Sequence, residues 1–111
     1  MAFRVERIEK IVEREISSMI LFDCKDERLK KVTITGCKVS SDLSYATVLF
    51  TVYGNDEEKS ESIDALNESK GYFRSQLAKR LDTRKTPEIR FRLDESLEYG
   101  NRIEEILRNL K

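Results

Sequence analysis

The chain has 111 residues, with 21 basic and 21 acidic side chains, two cysteines and no histidine. That length builds one domain around one modest core, and its 39% apolar residues form no run near the ~18 to 20 needed to cross a bilayer. Without histidine the usual general base near neutral pH is missing. Cys24 and Cys37 also lack the spacing of a zinc site, so no metal or cofactor is expected.

In chain order, Phe3 to Leu21 reads as a helix, because Val5, Ile8, Val12, Ile16, Met19 and Ile20 recur at three- and four-residue steps and so line one face. Its charged start, MAFRVERIEK, is amphipathic and unlike a signal peptide. Asp23 to Lys31 is a polar connection. Val32 to Val39 is β-branched and alternating, with Val32, Ile34 and Gly36 assigned to one face and Thr33, Thr35 and Cys37 to the other. Ser40-Ser41-Asp42 is turn chemistry. Ala46 to Tyr53 is a second strand with Ala46, Val48, Phe50 and Val52 on one side, which makes an antiparallel hairpin. Phe50 and Tyr53 are expected to pack in the sheet.

Asn55 and Glu58 have capping-box spacing, and Asp56 and Glu57 suit the positive end of a helix dipole. That helix carries Ile63 and Leu66. A further helical run places Phe73, Leu77, Ala78 and Leu81 on one face. Ser69-Lys70-Gly71 lies between the two, and glycine inside a helix costs up to ~1 kcal/mol, so a kink is expected there. The kink makes Gly71→Val a straining substitution. Pro87 opens a third strand with Ile89, Phe91 and Leu93 on one side and Glu88, Arg90 and Arg92 on the other. A last helix over 95–111 would carry Leu97, Ile103, Ile106, Leu107 and Leu110, capped by Asp94 or Ser96. The order α-β-β-α-kink-α-β-α describes one α+β domain, three strands with the helices on one face.

Charge is sorted along this neutral chain. Between Ser69 and Arg92 lie Lys70, Arg74, Lys79, Arg80, Arg84, Lys85, Arg90 and Arg92 against Asp82 and Glu88, a net +6; Gly54 to Glu68 carries a net −5. A local basic field points to a polyanionic partner, although a solvated, salt-bridged helix surface gives the same pattern. Lys70 and Arg74 flank the kink, and Arg90 and Arg92 share one face of the last strand. Tyr45 and Tyr72 are candidates for stacking on bases, while Phe73 belongs to the apolar stripe. Catalysis is poorly supported, because no glycine-rich phosphate loop and no carboxylate dyad stands out. From the residues alone the reading stops at a small α+β domain whose basic face binds RNA, with an adaptor that docks charged protein partners as the alternative.

Several stretches resemble the ribosome-binding factor A family. They are Lys25-Asp26-Glu27-Arg28-Leu29, Val32-Thr33-Ile34-Thr35, Ser41-Asp42-Leu43-Ser44-Tyr45-Ala46, Gly71-Tyr72-Phe73-Arg74, Leu81 to Arg84, and Pro87-Glu88-Ile89-Arg90-Phe91 with Asp94. The resemblance implies a type II KH-like fold in which a helix–kink–helix replaces the usual loop. Its Ala-x-Gly signature reads here as Ser69-Lys70-Gly71, so serine stands for alanine, and the serine hydroxyl could cap the second helix. Glu27 stands where proline is common. The resemblance further implies a non-catalytic, monomeric cytoplasmic protein without cofactor or membrane attachment. It would bind free, immature 30S subunits and 16S rRNA and aid 5′-end processing, also in the cold, with a ribosome-assembly GTPase as a further partner. RNA contact falls on Lys70, Gly71, Arg74, Lys79, Arg80, Arg84, Lys85, Arg90 and Arg92. Exchanging Arg80 and Arg84 together for glutamate is expected to abolish binding and leave the fold intact.

Overall fold

A computed structural model describes residues 2–81 and 85–95. The expected last helix over 95–111 lies outside the described residues except for Glu95, and so does Arg84. The elements are α1 (Ala2–Ser18), β1 (Val32–Val39), β2 (Tyr45–Val52), α2 (Asp56–Glu68), α3 (Lys70–Arg80) and β3 (Glu88–Leu93). β2 is the central strand, antiparallel to β1 and parallel to β3. Parallel pairing needs a crossover, and α2 with α3 supplies it.

The core forms where the inner sheet face meets the helices. Ile8, Val12 and Ile16 of α1, Ala65 and Leu66 of α2 and Phe73 and Leu77 of α3 are buried against Ala46, Val48, Phe50 and Ile89. Burial along β2 alternates as its sequence pattern requires, with Ala46, Val48, Phe50 and Val52 inside. Ala78 and Tyr53 depart from expectation. Ala78 is exposed on α3, and Tyr53, one residue past the last paired position of β2, is 86% exposed.

Two irregularities change which residues face inward. The α-helical bonding of α1 ends at Ser18, short of Leu21, and Met19–Asp23 forms a wider π turn. Met19 and Ile20 stay buried while Leu21 and Phe22 turn out to solvent. In β1, Ile34 pairs with Phe50 but Gly36 pairs with Leu49. Thr35 is the extra residue of a bulge, and a bulge shifts the two-residue alternation by one. Inward positions therefore pass from Val32 to Cys37 and Val39, which reverses the expected side of Cys37.

The connection before β1 is ordered by charge and capping. Asp26 accepts from the Arg28 backbone N–H at 2.9 Å and caps a short 3-10 turn, Glu27–Leu29. The Arg28 guanidinium also reaches Asp26 at 2.8 Å and Glu68 of α2 at 2.6 Å. The buried Ser62 hydroxyl donates to the Arg28 carbonyl at 2.6 Å. The capping box at α2 is present in both directions between Asn55 and Glu58, and Lys31 pairs with Glu58.

Candidate nucleic-acid interface

The two crossover helices break at Ser69. Its φ of −94° and ψ of 1° lie in the sparsely used bridge region, which lets α3 leave on a new axis. Backbone bonding runs through the break, with Ser69 N–H donating to Ala65 O and Phe73 N–H donating to Ser69 O at 3.0 Å. The Ser69 side chain makes no capping bond, so the hydroxyl cap expected there is absent. Gly71 sits in the first turn of α3, and a Cβ built on it meets nothing within 4 Å beyond its chain neighbours and its own helix backbone. The strain expected of Gly71→Val therefore has no steric basis in this structure; the bend belongs to Ser69.

α3 is clamped to the sheet by aromatic edges. Phe73 lies 5.7 Å from Phe91, and Phe91 lies 6.3 Å from Phe50. At 3.6 residues per turn, burying Phe73 and Leu77 sends Tyr72 and Lys79 to the outward face. Tyr72 is 42% exposed, and Lys79 is also exposed. Lys70 and Arg74 share one flank of the helix, and Arg80 falls on another.

The candidate basic residues consequently do not form one patch. The Arg74 guanidinium donates to the Thr86 carbonyl at 3.2 Å, tying α3 to the chain that enters β3. Arg80 lies 2.7 Å from Glu15 of α1 and 3.8 Å from Asp23. It is exposed, as expected, and its guanidinium is paired at the surface with carboxylates of other elements. Lys85 donates to the Ser44 hydroxyl at 2.9 Å. Arg90 and Arg92 occupy the sheet face opposite the helices, because their neighbour Ile89 is buried on the helix side. Lys38 joins them there. It was missed because the alternation of β1 looked unbroken, and the signal that could have shown it is the apolar pair Cys37 and Val39 on either side.

Both cysteines are shifted away from the thiolate form. Burial, then Glu9 and Glu13, push the Cys37 thiol up to about 12. Cys24 is raised by burial and by Asp23 and Asp26. A nucleophilic cysteine needs the opposite shift. Among the described residues no cluster of three or more His, Cys, Asp or Glu could hold a metal ion. No described helix is long and apolar enough to cross a membrane.

Residues 4–107 match the family model of ribosome-binding factor A. The ribosome-binding factor A of Caldanaerobacter subterraneus subsp. tengcongensis is 45% identical over 111 residues, covering 99% of this chain and 91% of its own. The crystal structure of ribosome-binding factor A from Thermus thermophilus shares the fold, with a TM-score of 0.71 at 22% identity over 80% of this chain and 94% of that one. A homology model of the Thermus thermophilus factor, fitted into a cryo-electron microscopy map of a 30S complex, superposes with a TM-score of 0.65 at 22% identity, covering 80% of this chain and 93% of its own.

Proposed function

The chain belongs to the ribosome-binding factor A family, and from that premise we propose that it binds immature 30S subunits as a non-catalytic assembly factor. In this reading it contacts 16S rRNA through a KH-like helix–kink–helix and assists late maturation and 5′-end processing, including at low temperature. It acts in the cytoplasm as a monomer, and a ribosome-assembly GTPase is its further partner. The 30S complex of the Thermus thermophilus relative supports the choice of subunit.

The observation that carries the reading is the open surface at the helix break. Gly71 is exposed with open space at its Cβ position; Lys70 precedes it and exposed Tyr72 follows it, and Lys79 stands exposed about two turns further along α3. A glycine with no internal packing duty lets a foreign backbone approach closely, and phosphate contact by lysine fixes position rather than sequence. Primary RNA contact is assigned to Lys70, Gly71 and Lys79. Arg74 and Arg80 hold α3 in place, and Lys85 sits at the rim. Arg84 keeps its assignment from sequence.

Co-sedimentation with mature and immature small subunits across a salt series tests this. Co-migration that is stronger for immature subunits and falls with salt is the expected result. Binding of a short RNA without co-migration would instead favour a generic KH-like RNA binder. Association with a charged protein partner and none with RNA would favour the adaptor.

A further inference from the structure

Resting on that reading, we infer that the sheet face opposite the described helices is a second RNA site, which takes a short unpaired segment and stacks one of its bases on the Tyr45–Arg90 pair. Register places the residues. Lys38 pairs with Thr47 and Thr47 pairs with Arg90, so the three side chains stand in one row across the sheet. Strands lie ~4.8 Å apart, which puts the two cationic positions about 10 Å from one another across Thr47. Arg92 stands two positions along from Arg90, opposite Leu49. The inward neighbours Val39, Ala46, Val48 and Ile89 are buried, so this row faces away from the helices.

The Arg90 Cζ lies 3.8 Å from the centre of the Tyr45 ring. A guanidinium held on an aromatic face is flat, charged and weakly hydrated, and bases in unpaired RNA stack on such surfaces. Tyr45 is itself held in place. Its backbone N–H donates to Ser40 Oγ at 3.0 Å, and Ser40 Oγ donates to Asp42 at 2.8 Å. That turn contains Leu43 at a φ of 61°, a conformation that costs energy outside glycine and persists here because the serine and aspartate bonds over-determine it. Beside the platform a groove of about 390 Å³ runs along Lys38, Thr47, Leu49, Arg92 and Leu93.

Carboxylates limit the patch. Glu88 stands next to Tyr45 in the register, and Asp94, which accepts from the Thr35 hydroxyl at 2.7 Å, closes the other end with Glu95. The occupant is therefore a short stretch of single-stranded RNA, with phosphates at Lys38 and Arg92 and one base on Arg90. The core of Phe73, Phe91 and Val48 separates this face from the outward side of α3. The two surfaces must hold different RNA segments.

The test uses the full chain with a fluorescein-labelled single-stranded uridine 12-mer, and the same variants against immature 30S subunits. Arg90→Gln is expected to weaken 12-mer binding about tenfold, the effect of losing one stacked base. K38A/R92A is expected to lower the salt slope by about 1.4, two single-strand phosphates. Both should keep wild-type circular dichroism, since all three side chains are exposed. Unchanged 12-mer affinity and slope in folded variants would overturn the inference, as would absence of 12-mer binding by the wild type. Wild-type co-sedimentation with immature subunits is scored separately: if it persists while the sheet-face variants change nothing, the assembly-factor reading stands and the second site falls.

Discussion

Arg80 of α3 and Glu15 of α1 meet at 2.7 Å, although 65 residues separate them in the chain. The side chains are 34% and 22% exposed, and Asp23 lies beyond at 3.8 Å. The pair locks the C-terminal end of α3 onto the first helix. It also sets a carboxylate of another element against the Arg80 charge at that exposed surface.

Replacing Arg80 therefore tests the fold before it tests RNA. Arg80→Gln is expected to cost ~0.2 to 1 kcal/mol, the range of partly exposed ion pairs, or a few degrees in Tm for a domain of this size. Arg80→Glu sets a third carboxylate beside Glu15 and Asp23 and should cost more. Thermal melts read both, and subunit affinity of the glutamine variant should stay close to wild type. A double reversal with Arg84 would mix these effects, so Lys79 is the cleaner target.

Gly71 behaves in the opposite way. Gly71→Ala adds a methyl group to open space at a helical position, where alanine is favoured by up to ~1 kcal/mol. The melting temperature should hold or rise. If a nucleic-acid backbone packs on the glycine, co-sedimentation with immature subunits should weaken about tenfold, roughly 1.4 kcal/mol. A melt and a binding curve that move in opposite directions would separate a contact role from a structural one.

Phe73 anchors α3 through its edge contact with Phe91 at 5.7 Å and has no exposed surface. Phe73→Ala is expected to cost ~3 to 5 kcal/mol, transfer and cavity terms together. Chemical denaturation should show a large fall in midpoint. A loss below ~1 kcal/mol would mean that α3 is not held by this ring.

The turn before Tyr45 predicts a pH response. The Ser40 hydroxyl first, then the backbone N–H and side chain of Ser44, with Lys85 adding its charge, hold the Asp42 carboxyl down at about 2. An unfolded aspartate titrates near ~3.9. A depressed native pKa contributes stability that is complete above the unfolded value and is lost as pH falls through the native one. The turn should thus stay formed at pH 5 and loosen between about 4 and 2. NMR titration of the Asp42 carboxyl is expected to show a midpoint near 2; a midpoint near ~4 would remove the claim.

Much of the architecture can be read locally. The α1 stripe, the inward faces of β2 and β3, and the Asn55–Glu58 box depend on neighbours a few residues apart, and each is found in place. The family motifs are likewise contiguous. Where a single residue broke the period, local reading failed. Thr35 is an ordinary strand residue, and nothing adjacent to it announces a bulge. The helix break falls on Ser69, inside the Ser69-Lys70-Gly71 segment where it is expected, but local reading attributes it to the glycine, because glycine is the residue that propensity penalises.

By itself, then, the sequence determined the elements, their apolar faces, the separation of acidic α2 from the basic segment after it, and the family. Periodicity and capping are short-range properties of the chain. Only the tertiary structure decided where the cations of the basic segment lie and what they pair with. Arg80 is drawn to Glu15, Arg74 to the Thr86 carbonyl, and Arg90 and Arg92 lie across the core from Lys70 and Lys79. Pairing across a sheet and between helices depends on packing in three dimensions, so one run of positive charge in the chain became two surfaces on opposite sides of the molecule.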